Sequence, residues 1–413
     1  MRKRAADRTA AHHFYGPSMT IAHLAEEPAS ARSGLDPLGV LVALGAIPGL
    51  LLPFAVFKAN RIVPGEGVLL WEALPAFPAA IGLAWIVLCI IVALWRMPPA
   101  VKLAASASSL LVLLLLIGIA AQAMTPSGDN YARIGIGAGF WLLAFVLALM
   151  LTDALARLRP GPWLRLALLL TAWVAVGIIL WSGAWDALSI VKEYGSRAPA
   201  FWQEARTHLF LAFGSVALAT AIGLPLGIAC YKFIALRAGA LNLLNVIQTI
   251  PSIALFGVLI APLAWVAANV PGASAAGISG IGVAPAMVAL TAYALLPVVA
   301  NTIVGLNGLP DATVEAARGM GMTWLQRLLQ VELPLAFPVI LTGIRIVLVQ
   351  NIGLATIAAL IGGGGFGVFV FQGVGQTAID LVLLGAAPTV SLAFAAAVLL
   401  DSFIELSSKR ATA

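Results

Sequence analysis

The sequence predicts an all-α fold, a polytopic membrane bundle of about ten transmembrane helices. Three observations carry this. The 413 residues are 62% hydrophobic and only 10% charged, against roughly 25% charged in soluble domains, so most of the surface must face lipid. The apolar residues are gathered into runs of roughly 20, the length that crosses a bilayer as a helix. Inside lipid the backbone must satisfy its own hydrogen bonds, which an open strand cannot do.

The predicted spans cover 38–56, 77–95, 103–124, 134–152 and 164–181, then 208–230, 241–268, 284–304, 334–360 and 381–400. The polar tail ahead of them, 1–36, holds Arg2, Lys3, Arg4, Arg8 and Arg32 and lacks the short apolar core of a signal peptide. Lys and Arg crowd the loops on the tail's side, at Arg96, Lys102, Arg157, Arg159, Arg165, Lys232, Arg237, Arg318 and Arg327. The opposite loops hold only Lys58, Arg61, Arg133, Lys192, Arg197 and Arg206. The positive-inside rule therefore places both termini in the cytoplasm. The net charge of +6 reads as topology signal, not as a nucleic-acid surface.

Two halves are expected. Trp71, Trp95, Trp163, Trp181, Trp185 and Trp202 sit near span ends in the first half, as an interfacial belt does. The later spans are richer in Gly, Pro, Asn and Gln, which let helices approach and can line a path. The division is an accessory bundle over 37–184, a periplasmic loop over 185–206 and a working core over 207–405. Cys89 and Cys230 lie in apolar runs and read as packed thiols. The four His show no metal-ligand spacing, and no catalytic constellation is evident.

The longest interior loop, 306–334, is an amphipathic segment expected to form a helix–turn–helix elbow on the inner membrane face. Asp311 or Thr313 is expected to cap its start. Val314, Ala317, Met320, Met322, Trp324, Leu325, Leu328 and Leu329 give an apolar side, and Gly319 and Gly321 break the helix. Glu315, Ala316 and Ala317, with Gly321, Val331, Leu333 and Pro334 at their spacing, resemble the EAA loop of ABC importer permeases, departing only at Val331. QTIPSIALFGVLIAPL (248–263), YALLPVVANTIVGL (293–306), the run 314–345 and IGGGGFGVFVFQG (361–373) extend the resemblance to the osmoprotectant (glycine betaine/carnitine/choline) subgroup. The first half resembles that subgroup's longer members, which carry extra N-terminal spans.

The resemblance implies a type I importer core in the C-terminal half and an inner-membrane location in a bacterium. It implies a coupling role for Glu315, Ala316, Ala317, Gly319, Gly321, Leu333 and Pro334 against a cytosolic ABC ATPase. It further implies a periplasmic solute-binding protein, a second permease subunit and an osmoprotectant-like solute moved by alternating access. The chain lacks G-x-x-x-x-G-K-[ST] and is expected to bind no cofactor itself; ATP and Mg belong to the partner ATPase.

Polar residues inside the spans are candidates for the path: Gln248, Thr249, Pro251 and Ser252, Asn301, and Gln350 and Asn351. Helix–helix hydrogen bonding is the competing role for each. Arg345 is expected to snorkel inward or to pair with a carboxylate or carbonyls. Asp380 is expected to serve the start of the last helix. Gly362, Gly364 and Gly367 satisfy GxGxxG, but with no βαβ unit around them they read as a turn. The alternative function is a secondary transporter driven by an ion gradient, which calls for intramembrane carboxylates near the midplane. Carboxylates fall near span ends instead, at Asp153, Asp380 and Asp401.

Overall fold

The computed structural model describes residues 34–61, 63–126, 128–129 and 131–411; the expected tail and its five basic residues lie almost wholly outside the described residues. Helix α1 (Pro37–Leu51) opens where Asp36 accepts a hydrogen bond from the Leu38 amide at 3.0 Å and proline fills the first helical position. It stops two residues short of Pro53, so the expected span over 38–56 is corrected: Val56 lies in a strand. Strands β1 (Ala55–Lys58) and β2 (Glu66–Val68) lead to a single turn, α2 (Leu70–Ala73), and to α3 (Ala76–Leu94) and α4 (Pro99–Met124). β3 (Arg133–Ile136), α5 (Ala138–Leu158) and α6 (Pro162–Trp181) follow.

The strands pair antiparallel in the order β2-β1-β3, an addition to the expected all-helical bundle. The lipid argument for helices applies within spans, and these short strands lie between them. Helices α1, α3, α4 and α5 close around Val42, Ala46, Ile86, Leu113, Ile117, Leu143 and Met150. Small residues set the spacing: a Cβ on Gly39 would stand 1.9 Å from the Ala93 carbonyl oxygen. Helix α6 buries only Pro162 and Ile179.

The core begins with α7 (Ser189–Lys232), 44 residues long and kinked at Arg197. Pro199, two residues on, removes a donor and crowds the carbonyl of the preceding turn. The expected loop over 185–206 is thereby corrected to helix from Ser189 onward. Its polar residues suggested a loop, but Ser189 and Glu193 find partners far along the chain, Asp380 and Arg61, and Glu193 also holds Arg197. Next come α8 (Ile234–Thr249), α9 (Ser252–Val258) and α10 (Ile260–Asn269). These replace the single span expected over 241–268, which breaks at Pro251 and at Leu259.

Helix α11 (Val283–Asn307) is the centre of the core and packs on α7 and on α14 (Leu333–Leu354) through Ala286, Ala289, Ala294, Leu211, Ala219 and Val347. Between α11 and α14 stand α12 (Asp311–Gly319), α13 (Trp324–Arg327) and a π-helical turn, Leu328–Glu332. A 3₁₀ turn (Ile357–Ile361), α15 (Gly367–Gly375) and α16 (Ile379–Ala411) complete the chain. The GxGxxG run is a turn, with φ of +75° at both Gly362 and Gly364. The Glu204 carboxylate holds this turn to α7 by accepting from the Gly365 amide at 2.6 Å. Among the described residues, nine helical segments are long and apolar enough to cross a membrane, and α1 is a shorter apolar helix beside them.

Candidate functional site

The elbow between α11 and α14 has the expected helix–turn–helix form. Its start differs from expectation: Pro310 occupies the N-cap position with no side-chain capping bond, and Asp311 instead brings negative charge to the first turn. Helix α12 ends at Gly319. The backbone then reverses at Gly321, whose φ of +76° suits glycine, and the Met322 amide returns to the Ala317 carbonyl at 3.2 Å. Thr323 and Gln326 form a reciprocal capping box on α13. Pro334 sits at the start of α14, where its missing N–H is harmless.

Of the Glu-Ala-Ala triplet, Ala317 is buried while Glu315 and Ala316 face outward. The expected continuous apolar side is corrected: Ala317 and Leu328 are buried, but Met320 is 74% exposed and Leu325 and Leu329 are each 55% exposed. The bend at Gly321 turns the two short helices so that one apolar stripe cannot face the same neighbour throughout. The elbow thus leaves a carboxylate, a small residue and the apolar Met320 exposed on α12 and at its end.

Its inner side is fastened at two points that the sequence did not reveal. The Lys232 ammonium, at the end of α7, lies 3.8 Å from the centre of the Trp324 ring. Arg327 Nε bonds Glu332 Oε1 at 2.5 Å, and the Glu332 side chain is fully buried. Residues five apart do not meet in an α-helix, but a π turn brings i and i+5 into register. Leu328 packs with Leu306, Ala336 and Ile340, and with Leu224, Ile228 and Tyr231 of α7.

The path candidates divide. Asn351 is fully buried and donates to Ser215 Oγ at 2.7 Å and to the Leu290 carbonyl at 3.2 Å, tying α14 to α7 and α11. Gln248 donates to the Tyr293 carbonyl at 2.8 Å, across to α11. Asn301 donates to the Pro297 carbonyl of its own helix at 2.8 Å and packs against Gly343. Thr249 and Pro251 are exposed, and Ser252 and Gln350 are half-buried.

Arg345 pairs with a carboxylate, Asp401 of α16. Asp401 also meets Arg165 of α6 at 2.9 Å, and Arg165 reaches Glu405 at 3.1 Å. Asp380 lies in the first turn of α16, not at its cap, and accepts the Ser189 hydroxyl at 2.7 Å. Both cysteines are free and buried.

Residues 219–413 match the family described as binding-protein-dependent transport system inner membrane component. Residues 35–191 match the N-terminal domain of the ABC transporter permease YehY. The osmoprotectant import permease protein OsmW of Salmonella typhimurium is 44% identical over 179 residues, 43% of this chain and 78% of that protein. The chain belongs to the ABC transporter permease family. The permease is likewise 37% identical to the carnitine transport permease protein OpuCB of Listeria monocytogenes, over 46% of this chain and 79% of that one. Identity to the osmoprotectant import permease protein OsmY of Salmonella typhimurium is 39%, over 49% and 78%. The inward-facing methionine ABC transporter MetNI aligns with a TM-score of 0.45 at 23% identity, over 50% of this chain and 96% of its own. The permease is a multi-pass inner-membrane transport component, and nothing supports the ion-gradient alternative.

Proposed function

We propose that this permease imports a small quaternary-ammonium osmoprotectant, such as glycine betaine or choline, by alternating access driven by a separate cytosolic ATPase. The observation that carries the reading is the elbow: Glu315 and Ala316 stand free on α12, and the segment after the bend, α13 and the π turn, is fastened to α7 and α14. A force applied at Glu315 reaches the two helices that flank α11. The outward carboxylate, the small Ala316 and the exposed Met320 suit a groove on a partner protein. Gly319 and Gly321 allow the bend, and Leu333 and Pro334 begin the helix that receives the motion. ATP and Mg are bound by the ATPase, a periplasmic solute-binding protein delivers the solute, and a second permease subunit completes the path. Both termini and the elbow face the cytoplasm. The solute class follows from the relatives, which are named for osmoprotectant and carnitine transport.

The test is uptake of labelled glycine betaine and choline into cells carrying the complete transporter. Glu315→Lys inverts the charge at the docking face and is expected to abolish uptake while membrane insertion stays normal. Wild-type uptake by that variant, or labelling that places Met320 on the outer face, would refute the reading.

A further inference from the structure

The sheet sets two cations side by side. Lys58 of β1 and Arg133 of β3 are direct cross-strand partners at the end of their ladder. Like charges directly opposite one another in an antiparallel pair destabilise it. The neighbouring pair on the same face, Val56 and Gly135, looks toward Asp380, since a Cβ on Gly135 would lie 3.5 Å from Asp380 Oδ1. Asp380 is the carboxylate that lines the same cavity as these two cations without an ion pair to either, and it already accepts the Ser189 hydroxyl. Beside them Arg61 and Arg197 share one carboxylate, Glu193, at 3.5 and 3.4 Å. Each set holds one positive charge in excess.

Between the sets lies a cavity of about 10 Å³, lined by Lys58, Arg61, Arg133, Ser189, Glu193 and Asp380. A space of that order admits a single particle about the size of a water molecule. Arg133 Nε is buried there and has no hydrogen-bond partner among the described residues. An unsatisfied buried guanidinium donor is costly, and more so beside a second cation.

We propose that this cavity, opened by movement of the half-exposed Lys58 side chain, binds one small monovalent anion such as chloride, held by Arg133 and Lys58 at the joint between the accessory sheet and the core. The anion neutralises the cross-strand repulsion and supplies Arg133 Nε with an acceptor. Lys58 is long and half-exposed, so its ammonium can adjust to the ion's radius. The site joins three pieces distant in sequence: the sheet, the start of α7 and the start of α16. Its occupancy therefore stabilises the attachment of the accessory bundle. This inference is independent of the transported solute.

The experiment is thermal unfolding of the purified full chain in lipid nanodiscs, followed by intrinsic fluorescence, in sodium chloride and in sodium gluconate at equal ionic strength. The chain's 11 Trp report its unfolding, and Trp185 among them ties the segment ahead of α7 to the accessory bundle, its indole N–H donating to the Leu114 carbonyl of α4 at 2.8 Å. A site-bound anion raises the midpoint with the logarithm of chloride concentration. The rise is expected in wild type and in Arg206→Gln, an exposed cation outside the joint, and lost in Arg133→Gln. If Arg133→Gln does not fold, crystals of the wild-type chain grown in bromide decide the matter, with an anomalous peak expected between Lys58 and Arg133. Equal midpoints in the two salts, a chloride effect that persists in Arg133→Gln, or a water without anomalous signal at that place would overturn the proposal.

Discussion

Lys232 ends α7 with its ammonium 3.8 Å from the centre of the Trp324 ring, so the last turn of the core's longest helix is fastened to the first turn after the elbow's bend. A cation over an indole contributes about 0.5 to 2 kcal/mol, more as water is excluded. The contact lies beyond the bend from Glu315, on α13, where it can pass a displacement of the elbow on to α7.

Removing that contact is therefore expected to uncouple rather than unfold. Lys232→Ala should lower the solute moved per ATP hydrolysed by the reconstituted transporter, with normal yield from the membrane. Lys232→Arg, which keeps a cation over the ring, should restore the ratio. An unchanged ratio in Lys232→Ala would show that the contact transmits nothing.

Two glycines with open space around them should respond with opposite sign to the same change. Gly321 has φ +76° and Gly239 lies inside α8, and neither would meet a neighbour within 4 Å of an added Cβ. Gly321→Ala forces a left-handed conformation on an L-residue and should cost about 1 to 2 kcal/mol. Gly239→Ala should stabilise by about 0.5 to 1 kcal/mol, the helix-propensity difference. Equilibrium unfolding in detergent with a mild denaturant distinguishes the two.

Asp401 serves two arginines, Arg345 and Arg165, while Arg345 has Asp401 alone as its ion-pair partner among the described residues. Asp401→Asn should then destabilise more than Arg345→Gln, because it strands Arg345 and takes one of the two carboxylates from Arg165, whereas Arg345→Gln releases one carboxylate that keeps a partner. All three side chains are about a third or more exposed, so screening limits the difference to about 1 kcal/mol. Equal losses in the two variants would mean that the second arginine contributes nothing.

The N-terminus of α1 gives a pH dependence. Lys102 donates to Asp36 Oδ2 at 2.6 Å and to the Ala93 carbonyl at 3.1 Å. Burial pushes the Asp36 carboxyl up, but the Lys102 hydrogen bond and charge, the Leu38 amide and the Arg157 charge outweigh it and hold it below 3.8. A carboxyl depressed in the folded state contributes stability that is fully present above its unfolded pKa and is lost as pH falls through the folded value. The accessory bundle's contribution from this group should be constant at neutral pH and decline only below about 3.8. Asp36→Asn should remove that acid-side decline, measured as the unfolding midpoint against pH.

Much of this was legible in the sequence. The apolar runs placed α3 to α6 and α11, because one long helix is the only local answer for such a run in lipid. The elbow was legible from its spacing, since glycine, proline and the Glu-Ala-Ala triplet act through local backbone geometry. What failed, failed where polar residues have distant partners. Ser189 and Glu193 read as a loop, yet they are helical, and the partners that hold them, Asp380 and Arg61, lie more than a hundred residues away in the chain. Asn351 looked equally suited to lining a path or joining helices, and only its burial against Ser215 and Leu290 shows a joining role.

By itself the sequence determined that the chain spans a membrane many times, where most helices run and where the elbow bends. These depend on hydropathy and on backbone chemistry within a few residues of each position. The tertiary structure alone decided what each charge meets: Lys232 the Trp324 ring, Arg345 the Asp401 carboxylate, and Lys58 the neighbouring Arg133. Such pairings depend on how helices and strands far apart in the chain are brought together, and electrostatic energy depends on that distance and on burial, neither of which a local stretch of residues contains.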